Sequence, residues 1–290
     1  MLACPVCKQA NLKTAASKLH GSRFDVMACR ACRLEFLHPQ PTWDEIRQIY
    51  SSQYYASWDM KKGENQETAR MKRLTFSRRL SEIRGYVQGG AVLDIGTATG
   101  FFLDEVVKDP NFEPYGVELS SYAGEIAQAK FGVDRVHIGT LETAAFPAGF
   151  FSVVAMSDLL EHVQSPHETL RHVHKLLRPG GVAMVMTPDA TSPSRRAMGA
   201  RWPHLKLEHL FYYSPRAIEL LAKEVGFEVA SLKRAKKTMT LKYLSDQFRV
   251  YPHPILSPIS RLASAVLGPW AHRPFSVTMG EMVVFLRKVA

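Results

Sequence analysis

The segment Val92-Leu93-Asp94-Ile95-Gly96-Thr97-Ala98-Thr99-Gly100-Phe101-Phe102-Leu103 constrains this chain more than any other. An apolar run of strand length passes without interruption into a turn of small residues and then into a helix. Backbone in such a turn can approach a ligand closely, and it does so at the carboxyl end of the strand, where open α/β sheets bind their ligands. A nicotinamide-binding fingerprint would read G-x-G-x-x-G, with a pyrophosphate on the helix N-terminus. Here Ala98 takes the place of the second glycine and the last glycine falls at Gly100, so the spacing does not fit that fingerprint. The methyl group of Ala98 fits the turn if its backbone stays out of the left-handed region.

Around this turn the chain alternates β-rich runs with helical stretches, the pattern of a parallel sheet covered on both faces. The runs are Ala91 to Ile95, Tyr115 to Glu118, Arg135 to Ile138, Phe151 to Met156, Val182 to Thr187, Phe227 to Lys233 and Met282 to Arg287, seven in all. Helices are expected at Gly100 to Lys108, Ala123 to Phe131, Pro166 to Leu177 and Pro215 to Val225, with Gly180-Gly181 as a helix stop and turn. The fold class is therefore α/β, a doubly wound, mostly parallel Rossmann-like sheet. Residues 1–40 form a small N-terminal unit, 41–86 a helical cap that includes the aromatic-rich stretch Trp43 to Trp58, and 87–290 the main domain. Insertions at 188–213 and 235–275 break the rhythm, and they are expected to cover the carboxyl edge of the sheet as a substrate lid. A helical hairpin that merely covers an exposed edge is the competing reading of the second.

In these residues the chain resembles the class I S-adenosylmethionine-dependent methyltransferases, whose first motif is an acidic residue followed by G-x-G-x-G. The resemblance covers roughly residues 85 to 235. It implies that Asp94 and the turn Gly96, Thr97, Ala98 and Gly100, with Phe101 and Phe102 behind it, hold the methionine end of the cofactor. Glu118, 24 residues beyond Asp94, would accept both ribose hydroxyls, with Leu119 beside it. Leu141 and Glu142, in Gly139-Thr140-Leu141-Glu142, would form the adenine turn, and Ser157 and Asp158 would face the sulfonium. The string Leu160-Glu161-His162-Val163 is similar to the small-molecule branch of the family, which includes quinone and sugar methyltransferases. The last strand, by the same resemblance, would run antiparallel.

All four cysteines lie near the N-terminus, as Cys4-Pro5-Val6-Cys7 and Cys29-Arg30-Ala31-Cys32. Two C-x-x-C pairs about twenty residues apart can present four thiolates tetrahedrally, which points to a zinc-ribbon-like unit holding structural Zn2+. Disulfides would require an oxidising compartment, and the first residues lack the sequence of a signal peptide. A redox C-x-x-C would need only one pair. His38 lies outside the metal pattern and reads as an exposed loop histidine. The absence of an apolar run of membrane length leaves a cytoplasmic protein as the expectation, with peripheral membrane contact still open.

The sulfonium methyl is already electrophilic, so catalysis rests on alignment, with a base needed for a hydroxyl or carbon acceptor. His209, in the first insertion, is expected to be that base, and His162 to shape the pocket. The net charge of +10 favours anionic partners, and Arg195 to Lys206 and Lys233 to Lys237 are the basic clusters able to flank an acceptor. A small-molecule acceptor is the leading reading. A nucleic-acid (RNA) methyltransferase that grips phosphate through the knuckle and basic patches is the alternative, and a noncatalytic, cofactor-binding assembly factor is a third. Against RNA stand the absence of an Asn/Asp-Pro-Pro-aromatic string after the fourth strand and the lack of a cysteine near the sheet.

Overall fold

The computed structural model describes residues 2–42, 44–46, 66–250 and 254–289. Tyr50, Tyr54 and Tyr55 of the aromatic-rich stretch lie outside the described residues.

Seven strands build the main sheet: β4 (Gly90–Ile95), β5 (Phe112–Glu118), β6 (Val136–Ile138), β7 (Phe151–Ser157), β8 (Leu177–Pro188), β10 (Phe227–Arg234) and β13 (Glu281–Lys288). Their order is β10-β13-β8-β7-β4-β5-β6. β4 pairs in parallel with β5 on one side and β7 on the other, so the order reverses at β4, and it is at the carboxyl end of such a strand that open α/β sheets bind their ligands. β13 is antiparallel to both β8 and β10, as the resemblance implies. Val92, Leu93, Val153, Val154, Ala183 and Val284 are all fully buried, which is why these strands read as unbroken apolar runs.

Helices α1 (Gln66–Ile83), α2 (Leu103–Val106), α3 (Ser121–Phe131), α4 (Pro166–Leu176) and α6 (Pro215–Val225) cover the sheet. The expected N-cap of α6 is present: the Ser214 hydroxyl accepts from the amide of Ala217 at 3.0 Å, Pro215 opens the helix and Gly226 (φ 93°) ends it. The Gly180-Gly181 pair does not stop a helix. α4 runs directly into β8 at Leu177, and the glycines lie inside that strand, next to the irregularity in its pairing with β7 between Phe151 and Val153.

A second sheet joins the N-terminal segment to the first insertion. β1 (Leu12–Ala16), β2 (Asp25–Cys29) and β3 (Glu35–His38) form a meander, and β9 (Phe211–Tyr212) of the first insertion adds to β3 as a fourth strand. His38 therefore ends a strand and is half-buried; it is not an exposed loop residue. The pairing of Phe36 with Phe211 and the burial of Leu34, Phe36, Leu37, Trp202, Leu205 and Phe211 make one continuous apolar core of the N-terminal strands and the insertion. The rest of this insertion is α5 (Pro193–Met198) and a 3-10 turn at Gly199–Arg201.

The second insertion is a helical hairpin on a two-stranded base: β11 (Lys237–Met239), α7 (Leu241–Val250), α8 (Leu256–Leu267), a 3-10 turn at Gly268–His272 and β12 (Phe275–Val277).

Candidate functional site

The turn after β4 is held open from below. The amides of Gly96 and Thr97 both donate to the Val117 carbonyl, at 2.8 and 3.1 Å, so the chain leaves β4 by folding onto β5. Gly96 has φ 76°, and a Cβ there would meet Leu159 Cδ1 at 3.3 Å. The turn therefore touches the segment that follows β7. Gly100 (φ 90°) serves a different purpose, since a Cβ on it would lie 2.3 Å from the Phe131 ring and push α3 away.

Ala98 does not stay out of the left-handed region. Its φ is 51°, and its amide donates to Glu118 Oε2 at 2.8 Å. The turn is tight enough to impose this conformation, which only glycine adopts without cost. The other oxygen of Glu118 accepts from the amide of Ser120 at 2.8 Å, so two backbone donors fix the carboxylate at the end of β5. Burial raises its pKa above the usual carboxylate range, and the backbone donors work against that shift.

Asp94 is buried at the end of β4, and its pKa rises to about 7, mainly through loss of water, with the Glu118 charge adding to the shift. Thr97 Oγ1 and Ser157 Oγ are buried side-chain oxygens without hydrogen-bond partners among the described residues. Two unsatisfied hydroxyls beside a carboxylate and an open backbone turn fit a polar, hydroxyl-bearing ligand such as an adenosyl cofactor. Of the remaining expected contacts, Leu119 is exposed beyond β5, Leu141 is buried and Glu142 exposed in the turn after β6. Phe101 lies under the Lys72 ammonium at 4.2 Å, and Phe102 packs on Phe76 with ring centroids 5.7 Å apart. Both rings build the support of the turn.

Beyond β7 the chain brings together residues far apart in sequence. Glu161 is fully buried; its Oε2 accepts from Thr187 Oγ1 at 2.9 Å, while Oε1 has no partner among the described residues. The backbone carbonyl of Glu161 accepts from the amides of Leu210 and Phe211, tying this turn to the first insertion. His162 Nδ1 lies 2.9 Å from the Glu208 carbonyl. A carbonyl can only accept, so Nδ1 carries the proton and Nε2 is the basic nitrogen. The His162 and His209 rings meet edge to face at 4.6 Å, and His204 lies 6.4 Å from His209. His209 is buried with Nδ1 unpartnered among the described residues. One ligand atom from each of Glu161, His162 and His209 lies within 4.8 Å of the others.

The electrostatics of this group keep the imidazoles neutral. Burial pushes His162 down to about 4 and His209 well below 6.5, where the neighbouring histidines add to the effect. Burial and the nearby charge of Asp158 push Glu161 up to about 8. Asp158, at φ 51°, is engaged by Lys237 at 3.0 Å, and Lys237 also reaches Glu281 at 2.6 Å. Burial alone would lower the lysine pKa, and the two carboxylates outweigh it and hold the ammonium charged. Lys237, Glu281, His204 and Glu161 are site residues that the sequence reading did not assign. The basic run Lys233 to Lys237 and the string Leu160 to Val163 pointed to two of them, and the grouping itself had no signal, because it joins β11, β13, the turn after β7 and the first insertion from separate segments.

The four cysteines converge. Cys4 Sγ and Cys32 Sγ are 3.5 Å apart, as are Cys7 Sγ and Cys29 Sγ, and all four sulfurs lie within 4.8 Å of one another. Ligands at roughly 2.3 Å from a tetrahedral zinc would be about 3.8 Å apart, so the spacing fits such an ion.

The comparisons with known proteins point the same way. A family model described as a methyltransferase domain matches residues 66–232. The tRNA U34 carboxymethyltransferase of Syntrophotalea carbinolica is 27% identical over 150 residues, 49% of this chain and 46% of that protein. The ubiquinone biosynthesis O-methyltransferase of Aromatoleum aromaticum is 28% identical over 156 residues, 50% of this chain and 66% of that protein. The similarity thus spans between about half and two thirds of these relatives. A SAM-dependent methyltransferase structure from Thermotoga maritima superposes with a TM-score of 0.53 at 19% identity, covering 85% of this chain and 100% of that one. The Haemonchus contortus phosphoethanolamine N-methyltransferase 2 gives 0.52 at 14% identity, covering 86% of this chain and 61% of that one. Both structures share the fold.

Proposed function

The chain belongs to the methyltransferase-domain family, and on that premise we propose that it transfers the methyl group of S-adenosylmethionine to a small-molecule acceptor, such as a sugar, a lipid-linked intermediate or a secondary metabolite. When bound, the cofactor supplies an electrophilic methyl on a sulfonium. Glu118 holds the ribose hydroxyls, the Gly96 to Gly100 turn and Asp94 hold the amino-acid end, and Leu141 with Glu142 border the adenine. Thr97 and Ser157 offer the hydroxyls left unsatisfied beside them.

The observation that carries the acceptor reading is the buried Glu161, His162 and His209 group, in a segment that touches the cofactor turn through Leu159 and Gly96. His209 takes the proton from a hydroxyl or carbon acid, and His162 borders the acceptor with its ring fixed by Glu208. A neutral imidazole is available as a base at pH 7. Lys237 and Asp158 close the edge of the site.

Two of the basic residues that would grip a nucleic acid are committed internally. Arg195 is bound to Glu35 and to the Gly199 carbonyl, and Lys237 to Asp158 and Glu281. That distribution favours a small acceptor over RNA, although one relative is named for tRNA. We further propose that the four cysteines hold a structural Zn2+, with every coordination position taken by protein.

Incubating the purified protein with methyl-labelled cofactor, in parallel with a metabolite extract and with total RNA, tests the reading. Label in a low-molecular-weight product supports it. Label in RNA alone, or in neither fraction, contradicts it.

A further inference from the structure

Helix α8 is built inside out. Its small residues face inward: Ser257 and Ser260 are buried, with the Ser257 hydroxyl donating to the Phe248 carbonyl of α7 at 3.2 Å. Its large apolar residues face outward. Ile259 is 57% exposed, Leu262 67% and Val266 76%, and Trp270 in the following turn is 59% exposed. Ile255, Ile259, Leu262 and Val266 follow one another at four, three and four residues, so they form one stripe along the helix. Leu256 and Leu267 widen it at either end, and both are exposed. A soluble surface rarely leaves so many large side chains in one contiguous line.

Charge identifies the occupant. Between Asp246 and Glu281 the sequence contains no acidic residue, while Arg249, Arg261 and Arg273 stand within it. All three arginines are exposed, and the Arg273 guanidinium lies 3.5 Å above the Trp270 ring. An apolar stripe, an amphipathic tryptophan and nearby arginines, of which Arg249 pairs with Asp246 at 3.6 Å while Arg261 and Arg273 lie in a stretch of sequence without an acidic residue, match the boundary between acyl chains and anionic headgroups. A protein partner would not require this one-sided charge.

The hairpin is also rigidly based. The amide of Thr238 in β11 donates to Thr75 Oγ1 at 2.9 Å, and Thr240 and His272 both bind the Glu67 carboxylate of α1 at 2.6 and 2.9 Å. Lys237 in β11 reaches Asp158 at the end of β7, so the hairpin rises from the edge of the sheet that carries the site.

We propose that the outer face of α8 and Trp270 dock this protein on an anionic phospholipid surface, with the helix lying in the plane of the interface. Among the described residues no helix is long and apolar enough to cross a membrane, and the stripe has the form of an interfacial anchor. The hairpin that carries the docked face is rooted at the site through Lys237 and Asp158, which suits an acceptor that partitions into lipid. Docking itself does not depend on the methyltransferase reading.

Cosedimentation of the full chain with vesicles of phosphatidylcholine alone, or of phosphatidylcholine mixed with phosphatidylglycerol, tests the inference. The chain is expected to sediment with the mixed vesicles, to release at high salt, and to show a blue-shifted tryptophan emission that Trp270→Phe removes. The double variant Leu262→Glu, Val266→Glu should bind at least about tenfold more weakly, because both side chains leave the acyl region. Both positions are exposed, so folding and cofactor titration should be unchanged, whereas Val133→Glu, exposed elsewhere, should bind vesicles like the parent. Absence of binding to mixed vesicles, or equal binding by the double variant, overturns the inference. So does a concentration-dependent dimer in sedimentation equilibrium that the double variant disperses, since the stripe would then be a contact between copies. A failed cofactor titration with intact vesicle binding would reject the methyltransferase reading alone.

Discussion

Arg195 and Glu35 are 160 residues apart in sequence and form a largely buried ion pair, with Arg195 Nε and Nη2 donating to one carboxylate oxygen at 3.1 and 2.8 Å. It fastens the first insertion to the N-terminal strands, next to the pairing of Phe36 with Phe211. Removing one partner leaves the other charge buried and uncompensated. Glu35→Gln or Arg195→Met should each cost about 2–4 kcal/mol in denaturant unfolding. The double variant should recover much of that loss, so additive single effects would show that the two groups do not act as a pair.

The same interface links the cysteine unit to the site. The Ser214 hydroxyl donates to the Cys32 carbonyl at 2.5 Å, and His20 Nε2 lies 2.6 Å from the Leu205 carbonyl in the loop that carries His204 and His209. If four cysteines hold one zinc, the purified protein should contain about one equivalent by elemental analysis, and Cys32→Ala should lose it. Chelation should lower the melting temperature and weaken turnover while leaving the α/β sheet folded by circular dichroism. A metal-free protein that melts unchanged in chelator would reject the zinc reading.

Burial of acids gives the stability a defined pH slope. Glu161 is raised to about 8 and Asp94 to about 7, so between the unfolded carboxylate range and those values the folded state binds more protons than the unfolded one. Their contribution is complete at acid pH and is lost as pH rises toward 8. His162, lowered to about 4, acts in the opposite sense but only below about pH 6.5, where the unfolded histidine is protonated. Above pH 6.5 His162 no longer contributes. Stability of the cofactor-free protein should fall between pH 6.5 and 8, by up to about 1.4 kcal/mol per pH unit for Glu161. Glu161→Gln should flatten that slope, and an unchanged slope would mean that Glu161 ionises normally.

Much of this fold is written locally. Strand β4 and its turn, the cap Ser214-Pro215 and the apolar strands β7, β8 and β13 follow from short-range patterns, because buried parallel strands need continuous apolar runs and helix ends need particular residues. The joining of β3 to β9 has no local signature, since Glu35 to His38 runs into the loop in which His38 is expected and Phe211-Tyr212 is only two residues long. Within the site, Asp94, Glu118 and the glycines follow from the turn, whereas the network of Lys237, Asp158 and Glu281 depends on tertiary pairing. The conformation of Ala98 departs from expectation for a similar reason: an alanine is expected to avoid positive φ, and the hydrogen bond from its amide to Glu118 overrides that preference.

Ala98 therefore offers a direct probe of the turn. Ala98→Val places a branched side chain at positive φ and should destabilise the protein by about 1–2 kcal/mol. Ala98→Gly relieves the strain but loosens the unfolded chain, so its stability should stay within about 1 kcal/mol of the parent. Equal effects of valine and glycine in thermal unfolding would mean that the turn relaxes freely.

The central claim is that one nucleoside cofactor sits where β4 and β5 end, gripped by the Gly96 to Gly100 turn and the Glu118 carboxylate. Isothermal titration with S-adenosylmethionine and with S-adenosylhomocysteine tests it most directly. The parent should bind one equivalent of either, and Glu118→Ala should bind both at least about tenfold more weakly, as loss of charged hydrogen bonds to the ribose requires. No heat with either nucleoside, or equal affinity in Glu118→Ala, would contradict the account.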